Sequence, residues 1–142
     1  MSFRTHGSVA IQEEGQILIA RIAGPWNAEL IAEYQQLMHA HVVALAARGP
    51  WGLIIEISGA ALCPPDALER IRSGAREHAR NWRRACTCYV IGPDVEGYRI
   101  TDRIWRDIYA GVMPVEIVET HDAAVRWTAQ QLATPPAPVL QE

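Results

Sequence analysis

Trp51-Gly52-Leu53-Ile54-Ile55-Glu56-Ile57-Ser58 is the stretch that decides the fold. It is β-branched, too short for a helix and too apolar for the edge of a sheet, so it reads as a central strand. Gly49-Pro50 ends a helix in front of it, and behind it Ser58 to Pro65 leads into another whose opening turn carries proline, where a missing N–H costs nothing.

The helix in front is predicted from an Asn27 N-cap to about Ala47, with Glu29 in the positive first turn and Trp26 and Ile31 spaced as a hydrophobic staple. Leu30, Ile31, Tyr34, Leu37, Met38, Val42 and Leu45 fall in one arc at 100° per residue, opposite Glu33, Gln36 and Ala40. Farther upstream, Gly7 to Glu13 and Gln16 to Ala23 form a hairpin around Glu14-Gly15. Downstream, the second helix spans Asp66 to Trp82 with Ala67, Leu68, Ile71, Ala75, His78, Ala79 and Trp82 in its apolar arc. A strand over Ala85 to Ile91, a helix over Gly97 to Ala110, a strand over Val115 to Val118 and a helix over Asp122 to Leu132 complete a ββαβαβαβα order. That order implies an α/β fold: a mostly parallel five-stranded sheet with an antiparallel first strand. Opposite Leu53, Ile55 and Ile57, a half-polar face is expected from Glu56 with Arg21, Thr87, Tyr89 and Glu116, so the helices should lie mainly on one side.

The 142 residues suit one domain, expected over residues 1–132, with residues 133–142 a loose proline-rich tail. Hydrophobic residues make up 49% and the net charge is −3, which argues against disorder and against general nucleic-acid binding. All 13 positive residues are Arg, a bias that points to a GC-rich bacterial source. No apolar leader and no run of about 18 apolar residues is present, so a cytoplasmic protein without a membrane span is expected. Cys86 and Cys88 point the same way on one strand and read, with Cys63, as free thiols.

Catalytic and metal motifs are missing. His39 and His41 lie on different helix faces, Glu56 has no partner in sequence, and no glycine-rich phosphate loop or nucleophile elbow occurs, so no catalytic residue, metal or cofactor is assigned. Cys63 near a helix N-terminus leaves a thiol-dependent enzyme as the third reading. Charge is the stronger signal: residues 66–84 hold Arg70, Arg72, Arg76, Arg80, Arg83 and Arg84 against Asp66, Glu69 and Glu77, making the window +3 and the remainder −6. Arg72, Arg76, Arg80 and Arg83 project as one row beside the apolar arc, either a solvated face paired with Glu69 and Glu77 or a surface for an acidic partner. Tyr98 and Trp105, with Tyr109 and nearby arginines, read either as interface anchors or as core.

This arrangement resembles the SpoIIAA-like (STAS-like) superfamily, in particular its stand-alone bacterial members, over residues 7–132. The likeness rests on the element order, on Gly24-Pro25-Trp26-Asn27 opening the first helix, and on Ile55-Glu56-Ile57-Ser58 followed by Leu62 and the second helix, similar to the family's aspartate-leucine-serine strand end. The resemblance implies a non-catalytic interaction or regulatory module. In anti-sigma-factor antagonists of that superfamily a serine pair opens this helix as a phosphorylation switch. The matching positions here are Pro65 and Asp66, which lack a hydroxyl, and Asp66 can instead place a permanent negative charge there. Ser58, Cys63, Asp66 and the arginine row become the candidate partner or ligand surface. Stand-alone members also look similar to CRAL-TRIO lipid-transfer domains, so a carrier of a small apolar ligand is the alternative. A homodimer is expected from the half-polar sheet face, the third helix's aromatics and five tryptophans.

Overall fold

The computed structural model describes residues 7–24, 26–59, 61, 63–95 and 102–134. Nine elements follow one another: β1 (Ser8–Glu14), β2 (Ile17–Ala23), α1 (Ala28–Arg48), β3 (Trp51–Ser58), α2 (Pro65–Asn81), β4 (Arg84–Ile91), α3 (Asp102–Tyr109), β5 (Val115–Val118) and α4 (His121–Ala133). The sheet order is β1-β2-β3-β4-β5, with β1 antiparallel to β2 and the other pairs parallel, as the sequence predicts. The hairpin turn sits one residue later than expected, because Glu14 pairs with Ile17 and Gly15 takes φ +59° at the first loop position.

Local chemistry sets the helix ends. Asn27 Oδ1 accepts the Leu30 N–H at 2.8 Å, and Trp26 and Ile31 of the staple are both buried. At the other end of α1, where the Leu45 carbonyl accepts the Gly49 N–H, the Gln16 side-chain amide also donates to the carbonyls of Leu45, Gly49 and Pro50 and ties the helix end to the hairpin. Leu37 departs from the predicted arc: it is 47% exposed, while the other six arc residues are buried.

Strand parity divides the core in two. Leu18, Ala20, Ile22, Leu53, Ile55, Ile57, Tyr89 and Ile91 face α1, α2 and α3 in the main core. Ile17, Ile19, Ile54, Cys88 and Val90 face the other way with Ala124, and Val125, Trp127 and Leu132 of α4 pack beside them. Three helices therefore cover one face and one covers part of the other. Gly52 allows that approach: a Cβ there would lie 2.5 Å from Thr128 Cγ2 and 3.0 Å from Cys86 Sγ. Thr87 and Tyr89 correct the expected half-polar face, since β-alternation puts both in the main core with Leu53 and Ile55. Arg21 and Glu56 do lie on the second face, where Arg21 bridges Gln12 and Glu56, and His121 at the start of α4 pairs with the other Glu56 oxygen. The three cysteines are free.

The expected start of the third helix at Gly97 lies outside the described residues, as does most of the expected tail. Among the described residues no helix is long and apolar enough to cross a membrane.

Candidate functional site

The loop after β3 and the helix it enters are held by few side-chain bonds. Ser58 is exposed and its carbonyl accepts the Gly24 N–H at 3.3 Å; Gly59 follows at φ +81°, a left-handed turn that suits glycine. Pro64 occupies the N-cap position of α2 without a side-chain bond, and the exposed Asp66 carboxylate takes the neighbouring Ala67 N–H at 2.9 Å instead. A negative charge thus sits in the first turn, where the helix dipole favours it. Cys63 is half-buried, and burial, followed by the neighbouring Asp66 charge, pushes its thiol up to about 12. That opposes the activation expected of a helix-start cysteine.

Along α2 both signs of charge share the exposed face, with the arginines in excess. On the α1 side, where Gln35 donates to the Arg70 carbonyl at 2.9 Å, an open groove of about 540 Å³ is lined by Asp66, Glu69, Arg70, Ser73, Glu77 and His78 of α2, with Gln35 and His39 of α1. The helical period puts Arg72 and Arg76 away from the groove and Arg80 between Glu69 and Ser73 of its lining. Pairing between the two sets is minimal: Arg72 reaches Glu69 at 4.0 Å, and Arg76 and Arg80 have no ion-pair partner among the described residues. Arg83 does not belong to the row. It lies beyond the helix end at φ +63° and donates to the Ala46 carbonyl at 3.1 Å, linking the chain to the last turn of α1.

Two further expectations change. Trp105 is fully buried, 4.6 Å from Tyr89 and 5.5 Å from Trp26 between ring centroids, so it is a core residue and not a surface anchor. Tyr98 lies outside the described residues. Among the histidines, His41 pairs with Glu13 of β1 at 2.5 Å and His39 meets Trp82 edge-on at 5.6 Å, so the two point apart as expected.

Arg84 was counted in the basic window by its sequence position, but it is only 6% exposed and opens β4 opposite Trp51. Its guanidinium donates to Thr87 Oγ1 at 2.9 Å, His78 Nδ1 at 3.2 Å and the Tyr109 hydroxyl at 2.9 Å, and it lies 5.5 Å from the Tyr109 ring centre. Tyr109 and Tyr89 share a hydrogen bond of 2.9 Å. A guanidinium can only donate, so His78 accepts at Nδ1 and carries its proton on Nε2. Burial, then the Arg84 charge and His39, lower His78 to about 3. Beneath α2 this cluster borders a cavity of about 20 Å³. A strand-opening arginine next to another arginine carries no sequence signal that separates the buried one from the exposed one.

No protein-family model matches the chain, and no curated relative does. Solved structures do. The chain is similar to an uncharacterised DUF3478-family protein with a SpoIIAA-like fold from Shewanella loihica PV-4, at 14% identity and a TM-score of 0.59, over 90% of this chain and 98% of that one. It is also similar to an anti-sigma factor antagonist from Mycobacterium paratuberculosis, at 11% identity and a TM-score of 0.55, over 91% and 99% of the two chains. The chain has the SpoIIAA-like fold expected from its sequence.

Proposed function

We propose that the chain is a non-catalytic, STAS-like regulatory module of a bacterial cytoplasm that binds an acidic protein surface through the Ser58 loop and the basic flank of α2. The observation that carries this reading is that Arg76 and Arg80 of α2 have no ion-pair partner among the described residues. Both are exposed, and the window around them, residues 66–84, carries a net charge of +3. The similarity to an anti-sigma factor antagonist supports a protein partner over a small substrate. The raised Cys63 thiol speaks against the thiol enzyme; the 20 Å³ cavity is far below the roughly 300 Å³ of a ligand pocket, and the 540 Å³ groove is lined mainly by charged and polar side chains, which speaks against the lipid carrier. Asp66 in place of a hydroxyl makes the module permanently charged at its helix opening, without the usual serine switch.

Affinity capture with the wild-type chain and with Arg76→Glu/Arg80→Glu tests the proposal. A partner held by the first and lost by the second supports it; equal recovery by both moves the working surface elsewhere. A homodimer is part of the same reading. The strip of the second sheet face around Gln12, Glu14 and Arg21 is exposed and carries both signs, which a two-fold axis can pair. Sedimentation at tens of micromolar should give twice the chain mass, and a single-chain mass overturns it.

A further inference from the structure

Independently of any partner surface, the interior holds a positive charge that no acidic group answers among the described residues. Arg84 is 94% buried, its three hydrogen-bond acceptors are all neutral, and no carboxylate pairs with it among the described residues. His78, held neutral, and Tyr89, whose phenol burial keeps protonated, supply no negative charge. Buried cations in proteins are normally matched by an anion, because desolvation is costly and neutral dipoles return only part of it.

The adjoining cavity is built to supply that match. Its walls include Arg84, Tyr34, Tyr89, Tyr109, His78 and Trp26, and no carboxylate lines it. The Trp26 indole N–H is buried without an acceptor among the described residues, a second donor left open at a wall that Met38, Ile55, Ile71 and Ala75 otherwise make apolar. Three of the five guanidinium N–H groups are engaged, which leaves two more to give. Size then selects the occupant. About 20 Å³ of space holds one or two water-sized bodies, so a monatomic ion fits where a phosphate or a carboxylic acid metabolite does not. Gln35, Gly74 and His78 line both this cavity and the open groove between α1 and α2, which gives the ion a route from solvent.

We infer that the cavity beside Arg84 is a binding site for a halide ion, chloride under ordinary conditions, which neutralises the buried guanidinium. The site stabilises the fold wherever chloride is present, because the unfolded chain has no such cage.

Thermal unfolding of the full chain in sodium chloride, sodium gluconate and sodium phosphate at matched ionic strength reads the site. The midpoint should stand a few degrees higher in chloride than in the two larger anions and rise with the logarithm of chloride concentration. Arg84→Met should abolish the difference between the salts. Because that variant also removes hydrogen bonds inside the core, crystals of the wild-type chain soaked in bromide provide the direct reading, with anomalous scattering expected within hydrogen-bonding distance of Arg84. Equal midpoints in chloride and gluconate, an unchanged chloride response in folded Arg84→Met, or bromide found only at the surface would overturn the inference.

Discussion

The two faces of the sheet obey the same alternation rule but solve different problems. The face under α1, α2 and α3 is sealed by aromatic and aliphatic side chains and then has to accommodate a cation, Arg84, within that seal. The face under α4 is sealed over β3, β4 and the Ile17–Ile19 part of β2, by Ala124, Thr128 and their neighbours, and its uncovered part is a polar ladder of Gln12, Arg21, Glu56 and His121 that stays in reach of water. On the first face a polar group costs energy and must be caged; on the second it is cheap and replaceable.

Substitutions can break this contrast. The largest effect is expected on the sealed face: Trp105→Ala should lower stability by about 3 to 5 kcal/mol in urea unfolding, as for a buried aromatic. A loss below about 0.5 kcal/mol would return Trp105 to the surface role read from sequence. The same face should also respond to acid. Because His78 is lowered to about 3 from an ordinary value near 6.5, the unfolded chain binds a proton between those pH values that the folded chain refuses. Stability contributed by the neutral ring is full above pH 6.5 and falls towards pH 3, by about 2 kcal/mol between pH 6.5 and 5. Unfolding at pH 7 and pH 5 should show that loss in the wild type and much less in His78→Gln; equal losses would contradict it.

On the α4 side, Gly52→Ala should cost about 1 to 3 kcal/mol through overpacking against Thr128. Part of that loss should return in a Thr128→Ser background, which removes the clashing methyl; strict additivity would deny the contact. The smallest change is expected on the uncovered strip, where Arg21→Ala should cost less than about 1 kcal/mol because its pair with Glu56 is half open to solvent.

What could be read from sequence followed from how strongly each pattern is enforced. β3, the Asn27 cap, the staple and β5 were legible because apolar runs, caps and turn residues agree with one another. Parity in β4 was not: Thr87, Cys88, Tyr89 and Val90 are all buried, and a strand covered on both faces shows no polar alternation to set its phase. Arg83 and Arg84 are identical neighbours whose fates differ only because the chain reverses between them, at the positive φ of Arg83. Leu37 lay within the arc that periodicity allows, but the covering layer ends before it reaches that side of α1. Of the candidate surface, the exposed loop and the Arg76–Arg80 flank were legible, since charge spacing on a helix is read directly. The caged Arg84 was not, since its acceptors come from α2, α3 and β4 and converge only in three dimensions.

The central claim is that the basic flank of α2 docks an acidic protein surface. Once a partner has been captured, its titration against the wild-type chain and against Arg76→Glu/Arg80→Glu, each at low and moderate salt, tests that claim most directly. The wild type should bind more weakly as salt rises, and the double reversal should lose about 1 to 3 kcal/mol of affinity, much of it in association rate, while unfolding as the wild type does. Equal affinities for the two chains, with no salt dependence for either, would contradict the claim.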